Sequence, residues 1–156
     1  DLVDIDTYQI TCHHSHTTHA MSSNKSRNAA YDYDPVDAVR HAVFWHVWPN
    51  LDFGVMPGSP NFGVFSIDPV SVDRTRTRAV SLRLPTPLSE FDRARVRYEA
   101  QVLGPEDVGL CESVQRGIAS RGFTRGHFMV GEMGDGESEI ATHFFQQRIA
   151  QALSGG

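Results

Sequence analysis

Hydrophobic and polar positions alternate through the middle of the chain, which is the pattern of half-buried β-strands. Four runs carry this pattern, at 42–48, 51–56, 62–67 and 75–84, and turn-forming Pro, Gly, Asn and Asp residues separate them. Such runs joined by short turns favour antiparallel neighbours. The sequence therefore predicts an antiparallel meander of about four strands.

Two helices are predicted after these strands. The first starts near Pro105, because proline suits the first helical position and the acids Glu106 and Asp107 suit the positive end of a helix dipole. It extends to about Ser120. The second covers about 137–153, where apolar residues recur every three or four positions.

The first thirty residues are polar and rich in His, Thr and Ser. They predict a short helical or irregular segment followed by a mobile loop at 20–35. The expected fold is α+β: one domain over 1–156, with an antiparallel sheet and C-terminal helices packed on it.

The composition and charge of the chain limit the kinds of binding partner that we expect. The chain has 156 residues and a formal net charge of -5, with no basic run, which argues against nucleic acid and anionic membranes. We see no apolar stretch long enough to span a bilayer, and we expect a cytoplasmic protein with Cys12 and Cys111 as reduced thiols. Because it begins at Asp1 without Met, we expect an excised part of a longer protein.

Asp107 begins an apolar stripe on the first predicted helix. Cys111, Val114 and Ile118 follow it at steps of four, three and four, so the four residues share one side. An acid on a side that faces the core needs a cation, hydrogen bonds or a metal. The alternative is that Asp107 only supplies a favourable charge at the helix N-terminus.

Four of the eight histidines lie within nine residues, at His13, His14, His16 and His19. Histidine is the commonest metal ligand. His14 and His19 could bind one metal if a helix breaks between them, whereas His13, His16 and His19 step by three along a helix and would suit zinc. A polar, His-rich segment without metal is the third interpretation.

Several short stretches together resemble a known family. Residues 106–117 read EDVGLCESVQRG, 48–51 read WPNL, 68–69 read DP before DRTR at 73–76, and 142–146 read THFFQ. These stretches resemble the catalytic domain of the large subunit of Rieske non-haem iron oxygenases of the ring-hydroxylating type. The resemblance implies a helix-grip sheet around a substrate pocket, with His14, His19 and Asp107 as iron(II) ligands.

The resemblance also implies an activity. Iron(II) would activate O2 to hydroxylate an aromatic or other apolar substrate. Electrons would come from a Rieske [2Fe-2S] cluster on a domain absent from this chain, supplied by a reductase or ferredoxin, in a homotrimer. The candidate pocket walls are Phe44, Trp45, Phe53, Val55, Phe62 and Val64. His41, His46, His127 and His143 are interpreted as structural.

Three alternatives remain open. Oxidative N- or O-demethylation occurs in related enzymes, and a quaternary amine would need an aromatic cage. The candidates for that cage are Trp45, Trp48, Tyr31 and Tyr33. A non-catalytic helix-grip ligand-binding module is the second alternative, and a zinc hydrolase built on the histidine cluster is the third.

One position departs from the family pattern. Relatives carry an acid three residues before the first ligand histidine, and that acid links the iron site to the Rieske domain of a neighbouring subunit. Here the position is Thr11. Threonine accepts a hydrogen bond but brings no charge, so the resemblance leaves coupling between subunits as an open question.

Overall fold

Six strands form one antiparallel sheet in the order β1-β2-β3-β4-β5-β6. The computed structural model describes residues 4–22, 39–131 and 138–155. The strands are β1 (Gln9–Cys12), β2 (His16–Ser22), β3 (His41–Val47), β4 (Leu51–Val55), β5 (Asn61–Ser71) and β6 (Arg74–Arg83). Each strand pairs with the next in sequence. The predicted four-strand meander is confirmed as β3 to β6.

The short helical or irregular segment predicted in the first thirty residues is wrong. Apart from a 3₁₀ turn at Ile5–Thr7, the segment forms the hairpin of β1 and β2, and β2 pairs along its length with β3. Threonine, which is β-branched, suits a strand, and pairing with β3 supplies hydrogen bonds that no local pattern reveals. Of the predicted loop at 20–35, residues 20–22 belong to β2 and the remainder lies outside the described residues.

Three α-helices follow the sheet: α1 (Glu90–Tyr98), α2 (Gly104–Ile118) and α3 (Ile140–Leu153), with a π-helical turn at Glu99–Leu103 joining the first two. The two predicted helices are confirmed as α2 and α3, with small differences at their ends. Helix α1 was not predicted from the sequence. Its N-terminus is a capping box, in which the backbone N–H of Asp92 donates to Ser89 Oγ and the Asp92 carboxylate accepts from the backbone N–H of Ser89.

Strand alternation divides the sheet into two faces. The inner face carries the most buried apolar side chains, Ile10, Met21 and Ala42, which are 4% or 5% exposed. Helix α3 contacts β1 and places Phe145 edge-on to the ring of His46, with ring centroids 5.0 Å apart. The core therefore lies between the inner face and α3. In the described part of the chain, no helix is both long and apolar enough to cross a membrane.

Helix α2 does not pack as its apolar stripe suggested. None of its fifteen residues, all of them described, is buried; Asp107 and Cys111 are exposed, and Val114 and Ile118 are 52% and 47% exposed. The expectation that this side faces the core is wrong for this chain. Helical spacing shows which side chains share a side, but it does not show whether another element covers that side.

Candidate active site

A cavity of about 360 Å³ opens on the inner face of the sheet. Most of its lining is aromatic or aliphatic, with a few polar groups, as is usual for sites that bind small molecules. The lining residues are Tyr8, His19, Phe44, Trp45, His46, Asp52, Phe65, Ile67 and Thr77.

His19 reaches this cavity from β2, and two hydroxyl groups hold its ring. The Tyr8 hydroxyl lies 2.9 Å from Nδ1, and Thr17 Oγ1 lies 3.3 Å from Nε2. Burial lowers the pKa of His19 below its ordinary value, while the charge of Asp52 acts to raise it and that of His46 to lower it. Burial thus favours the neutral imidazole, which is the form that binds a metal ion.

A second histidine lies in the same cavity, paired with a carboxylate. His46 of β3 is directly opposite Asp52 of β4, and Nδ1 of the ring is 2.5 Å from Asp52 Oδ1. An ionised carboxylate only accepts, so Nδ1 carries the proton and donates it. The other ring nitrogen, Nε2, is buried and has no hydrogen-bond partner among the described residues.

The structure separates the three ligands implied by the resemblance. His14 is exposed in the turn between β1 and β2, and Asp107 is exposed in the first turn of α2. Only His19 of the three lines the cavity. Within 4–22, 39–131 and 138–155, no three His, Cys, Asp or Glu side chains are close enough to hold one metal ion. The donor types, two imidazoles and one carboxylate, still suit iron(II).

The zinc interpretation depended on a helix that does not form. His16 and His19 are three residues apart on strand β2, so their side chains point to opposite faces of the sheet. The ring of His16 stacks instead on that of His13, with centroids 4.2 Å apart. The argument from steps of three therefore no longer applies.

The predicted pocket walls divide between the two faces. Phe44 and Trp45 both border the cavity, but Trp45 pairs with Phe53, so its side chain lies on the outer face. Alternation and strand register place the other four on the outer face, where two rings stack 5.7 Å apart; these four are Phe53, Val55, Phe62 and Val64. Of the suggested cage residues, Trp45 borders the cavity with its side chain on the outer face, whereas Tyr31 and Tyr33 lie outside the described residues.

The sequence analysis did not predict that Tyr8, His46 and Asp52 belong to the site. His46 and Asp52 flank the short turn between two predicted strands, so pairing Val47 with Leu51 would have placed them opposite each other. The contact between His46 and Asp52 could therefore have been predicted from the sequence. No local sequence pattern predicts the contact of Tyr8 with His19, because it forms only through the hairpin of β1 and β2.

Comparisons with known proteins agree with the fold. Residues 4–155 match the family described as the ring hydroxylating alpha subunit (catalytic domain), and this chain belongs to that family. It is 34% identical over 157 residues to the carnitine monooxygenase oxygenase subunit of Acinetobacter baumannii (strain ATCC 19606), covering 97% of this chain and 41% of that relative. Its counterpart in Escherichia coli (strain K12) is 29% identical over 154 residues, with 98% and 41% covered.

Solved structures give the same family. A quaternary ammonium Rieske monooxygenase, described in connection with carnitine oxidation by gut microbiota, superposes with a TM-score of 0.85 at 29% identity, over 97% of this chain and 40% of that one. The monooxygenase CntA in complex with the substrate γ-butyrobetaine superposes with a TM-score of 0.74 at 27% identity, over 94% and 38%. The chain spans about two fifths of the length of these relatives.

Proposed function

We propose that this chain is the oxygenating domain of a Rieske monooxygenase that oxidises a quaternary ammonium compound, with iron(II) held by His14, His19 and Asp107. The observation that carries the substrate class is the aromatic lining of the cavity beside His19, formed by Tyr8, Phe44 and Phe65. Aromatic faces attract cations, and recognition of quaternary ammonium groups is the usual function of such a lining.

The relatives support this substrate class over the aromatic hydroxylation expected from sequence. Their names state that they act on carnitine, and CntA has been solved with γ-butyrobetaine and with L-carnitine as substrates. Oxidative demethylation, one of the sequence-based alternatives, concerns the same kind of compound. We therefore place oxidation of a quaternary ammonium compound first.

In this proposal, each of the site residues has a different role. His19 presents a neutral ring whose orientation the Tyr8 hydroxyl fixes at Nδ1, and this arrangement is usual for a histidine that binds a metal. His14 would supply the second imidazole and Asp107 a carboxylate that offsets positive charge. Iron(II) bound there would supply the activation of dioxygen. The apolar lining would hold the substrate and exclude water.

The proposal also includes an electron donor and an oligomeric state. Electrons would come from a Rieske [2Fe-2S] cluster outside this chain, delivered by a ferredoxin or reductase, and the oligomer would be a homotrimer. The family supports these parts, since the solved relatives are Rieske monooxygenases and one is described in terms of inter-subunit electron transfer.

Metal analysis of variants tests the ligand set. His14→Ala and Asp107→Ala should each lose bound iron, measured per mole of protein, because removing one of three ligands weakens a metal site severely. His41→Ala, an exposed histidine on β3, is the matched control and should keep it. Zinc retained in Asp107→Ala would refute the iron assignment.

Ligand binding tests the substrate class. Choline and the neutral analogue 3,3-dimethylbutan-1-ol have the same shape but differ in charge. The protein should bind choline more tightly, and Phe44→Leu should reduce that preference by about threefold, the equivalent of roughly 0.5–1 kcal/mol for a cation–π contact. Phe53→Leu, the same change on the outer face, should leave it unchanged. Equal binding of both compounds would contradict the proposed substrate class.

A non-catalytic ligand-binding module is the second candidate, and Thr11 is the observation that favours it. Thr11 is exposed on β1, where the family carries the acid that couples subunits. Supplied with a reduced Rieske partner, an oxygenase should turn over a quaternary ammonium substrate, and Thr11→Asp should increase the rate. Tight binding with no turnover in either form would favour the module.

A further inference from the structure

We propose that His46, held by Asp52, is the subsite that binds a carboxylate of the substrate. The cavity would then select molecules with a quaternary ammonium group at one end and a carboxylate at the other. This inference rests on the proposed function, and it assigns a role to two side chains that are outside the implied metal site.

The first argument is the geometry of the pair. His46 and Asp52 are cross-strand neighbours on two adjacent central strands, and Nδ1 of the ring lies 2.5 Å from Asp52 Oδ1, within hydrogen-bonding distance. This contact fixes the ring with Nδ1 toward Asp52. With Nδ1 toward Asp52, Nε2 is the ring nitrogen left to meet a bound carboxylate.

The second argument is the free nitrogen. His46 Nε2 is buried and has no hydrogen-bond partner among the described residues, while Phe145 closes over the ring edge-on. A buried polar atom without a partner is costly, and in native proteins such atoms usually meet a ligand or an ordered water. A hydrogen bond made in this dry environment is stronger than one made in water.

The third argument is the absence of a competing anion binder. The described residues that line the cavity include no lysine or arginine. Among the lining residues, His46 has the buried ring nitrogen without a described partner, so it is the group placed to meet an anion. The aromatic side chains around it suit the cationic end of the same molecule.

Two ligands that differ only in the carboxylate test the subsite. γ-Butyrobetaine carries a trimethylammonium group and a carboxylate, and butyltrimethylammonium carries the cation alone. In calorimetric titrations of the iron-loaded full chain, His46→Phe should weaken γ-butyrobetaine binding by about tenfold to a hundredfold, as expected for a lost hydrogen bond to a charged group. Binding of butyltrimethylammonium should change by less than about twofold.

Two further variants keep the test decisive. His41→Phe makes the same replacement on the same strand, at an exposed residue outside the cavity lining, and should leave both affinities unchanged. Asp52→Asn preserves shape but removes the charge that holds His46, and should weaken γ-butyrobetaine alone. If His46→Phe and Asp52→Asn weaken both ligands equally, or neither ligand, the carboxylate subsite is refuted. If the unmodified chain binds neither ligand, the proposed substrate class itself fails.

Discussion

At the scale of single residues, the hydroxyl of Tyr8 has the clearest consequence. It lies 2.9 Å from His19 Nδ1, and the two rings meet nearly at right angles. A partner on one ring nitrogen fixes the tautomer and the direction of the other nitrogen. The orientation of His19 in the cavity therefore depends on a residue eleven positions earlier in the chain.

Tyr8→Phe removes this hydroxyl and keeps the ring. If His19 binds iron(II), the affinity for iron should fall by about tenfold to a hundredfold, the usual cost of losing such a partner. Competition with a chelator measures this affinity. Tyr98→Phe, the same change on α1, should leave it unaltered, and an unaltered affinity in Tyr8→Phe would remove Tyr8 from the site.

At the scale of elements, α1 is anchored by one buried carboxylate. Asp92 is 5% exposed, and it accepts hydrogen bonds from Ser89, Ser59 and Arg83, with Arg83 Nη1 2.9 Å from Oδ1. Burial acts to raise the pKa of Asp92, but the hydrogen bonds from Ser89 and Ser59 and the charge of Arg83 together hold it below its usual value. The ionised form thus ties the helix to β6 and to the segment before β5.

Asp92→Ala should destabilise the protein by about 3 kcal/mol, because it leaves the partly buried Arg83 without its carboxylate. Since the native pKa is lowered, this stabilisation is present above the unfolded pKa of about 4 and is lost as pH falls through the native value. Urea unfolding at pH 7 and pH 3 should show the difference between the two proteins shrinking in acid. Asp73→Ala, at an exposed turn, should cost under about 0.5 kcal/mol.

Helix α2 gives a second prediction at this scale, through the two cysteines. Cys111 of α2 is exposed, whereas Cys12 of β1 is half-buried and burial raises its pKa. Because the thiolate is the reactive form, a thiol reagent should modify Cys111 several-fold faster than Cys12 at neutral pH. Cys111→Ser and Cys12→Ser assign the two rates. Slower modification of Cys111 would mean that this side of α2 is covered after all.

At the scale of the whole molecule, the strands of the sheet form most of the cavity, and the proposed function requires electrons from outside the chain. Nearly all the lining residues come from the strands β2 to β6, and Tyr8 comes from the residue just before β1. The chain matches only about two fifths of the length of its relatives. Under the proposed function, oxygenation should depend on a Rieske partner.

The iron-loaded chain alone should give no sustained oxidation of γ-butyrobetaine, because a single iron(II) cannot supply all the electrons that an oxygenation consumes. Adding a reduced Rieske partner should convert γ-butyrobetaine to an oxidised product in steady turnover, measured by mass spectrometry. Sustained turnover without that partner would contradict the proposed electron supply.

Sequence patterns alone determined the elements whose signals are local. The alternation at 42–84 predicted β3 to β6, and Pro105 with two acids after it predicted the start of α2. The quoted stretches also identified the family, which the comparison over residues 4–155 confirms. These features could be predicted because hydrophobic periodicity, turn residues and charges at helix ends act between residues that are close in sequence.

Only the tertiary structure decided which side chains meet. The hairpin that brings Tyr8 to His19 and the register that sets His46 against Asp52 are contacts between strands, and pairing overrode the helix suggested by the histidine spacing. Likewise, the helical phase of Asp107 was visible in the sequence, but its exposure depends on what covers α2. Burial and long-range pairing depend on the whole chain, so the residues around the cavity became visible only in the folded protein.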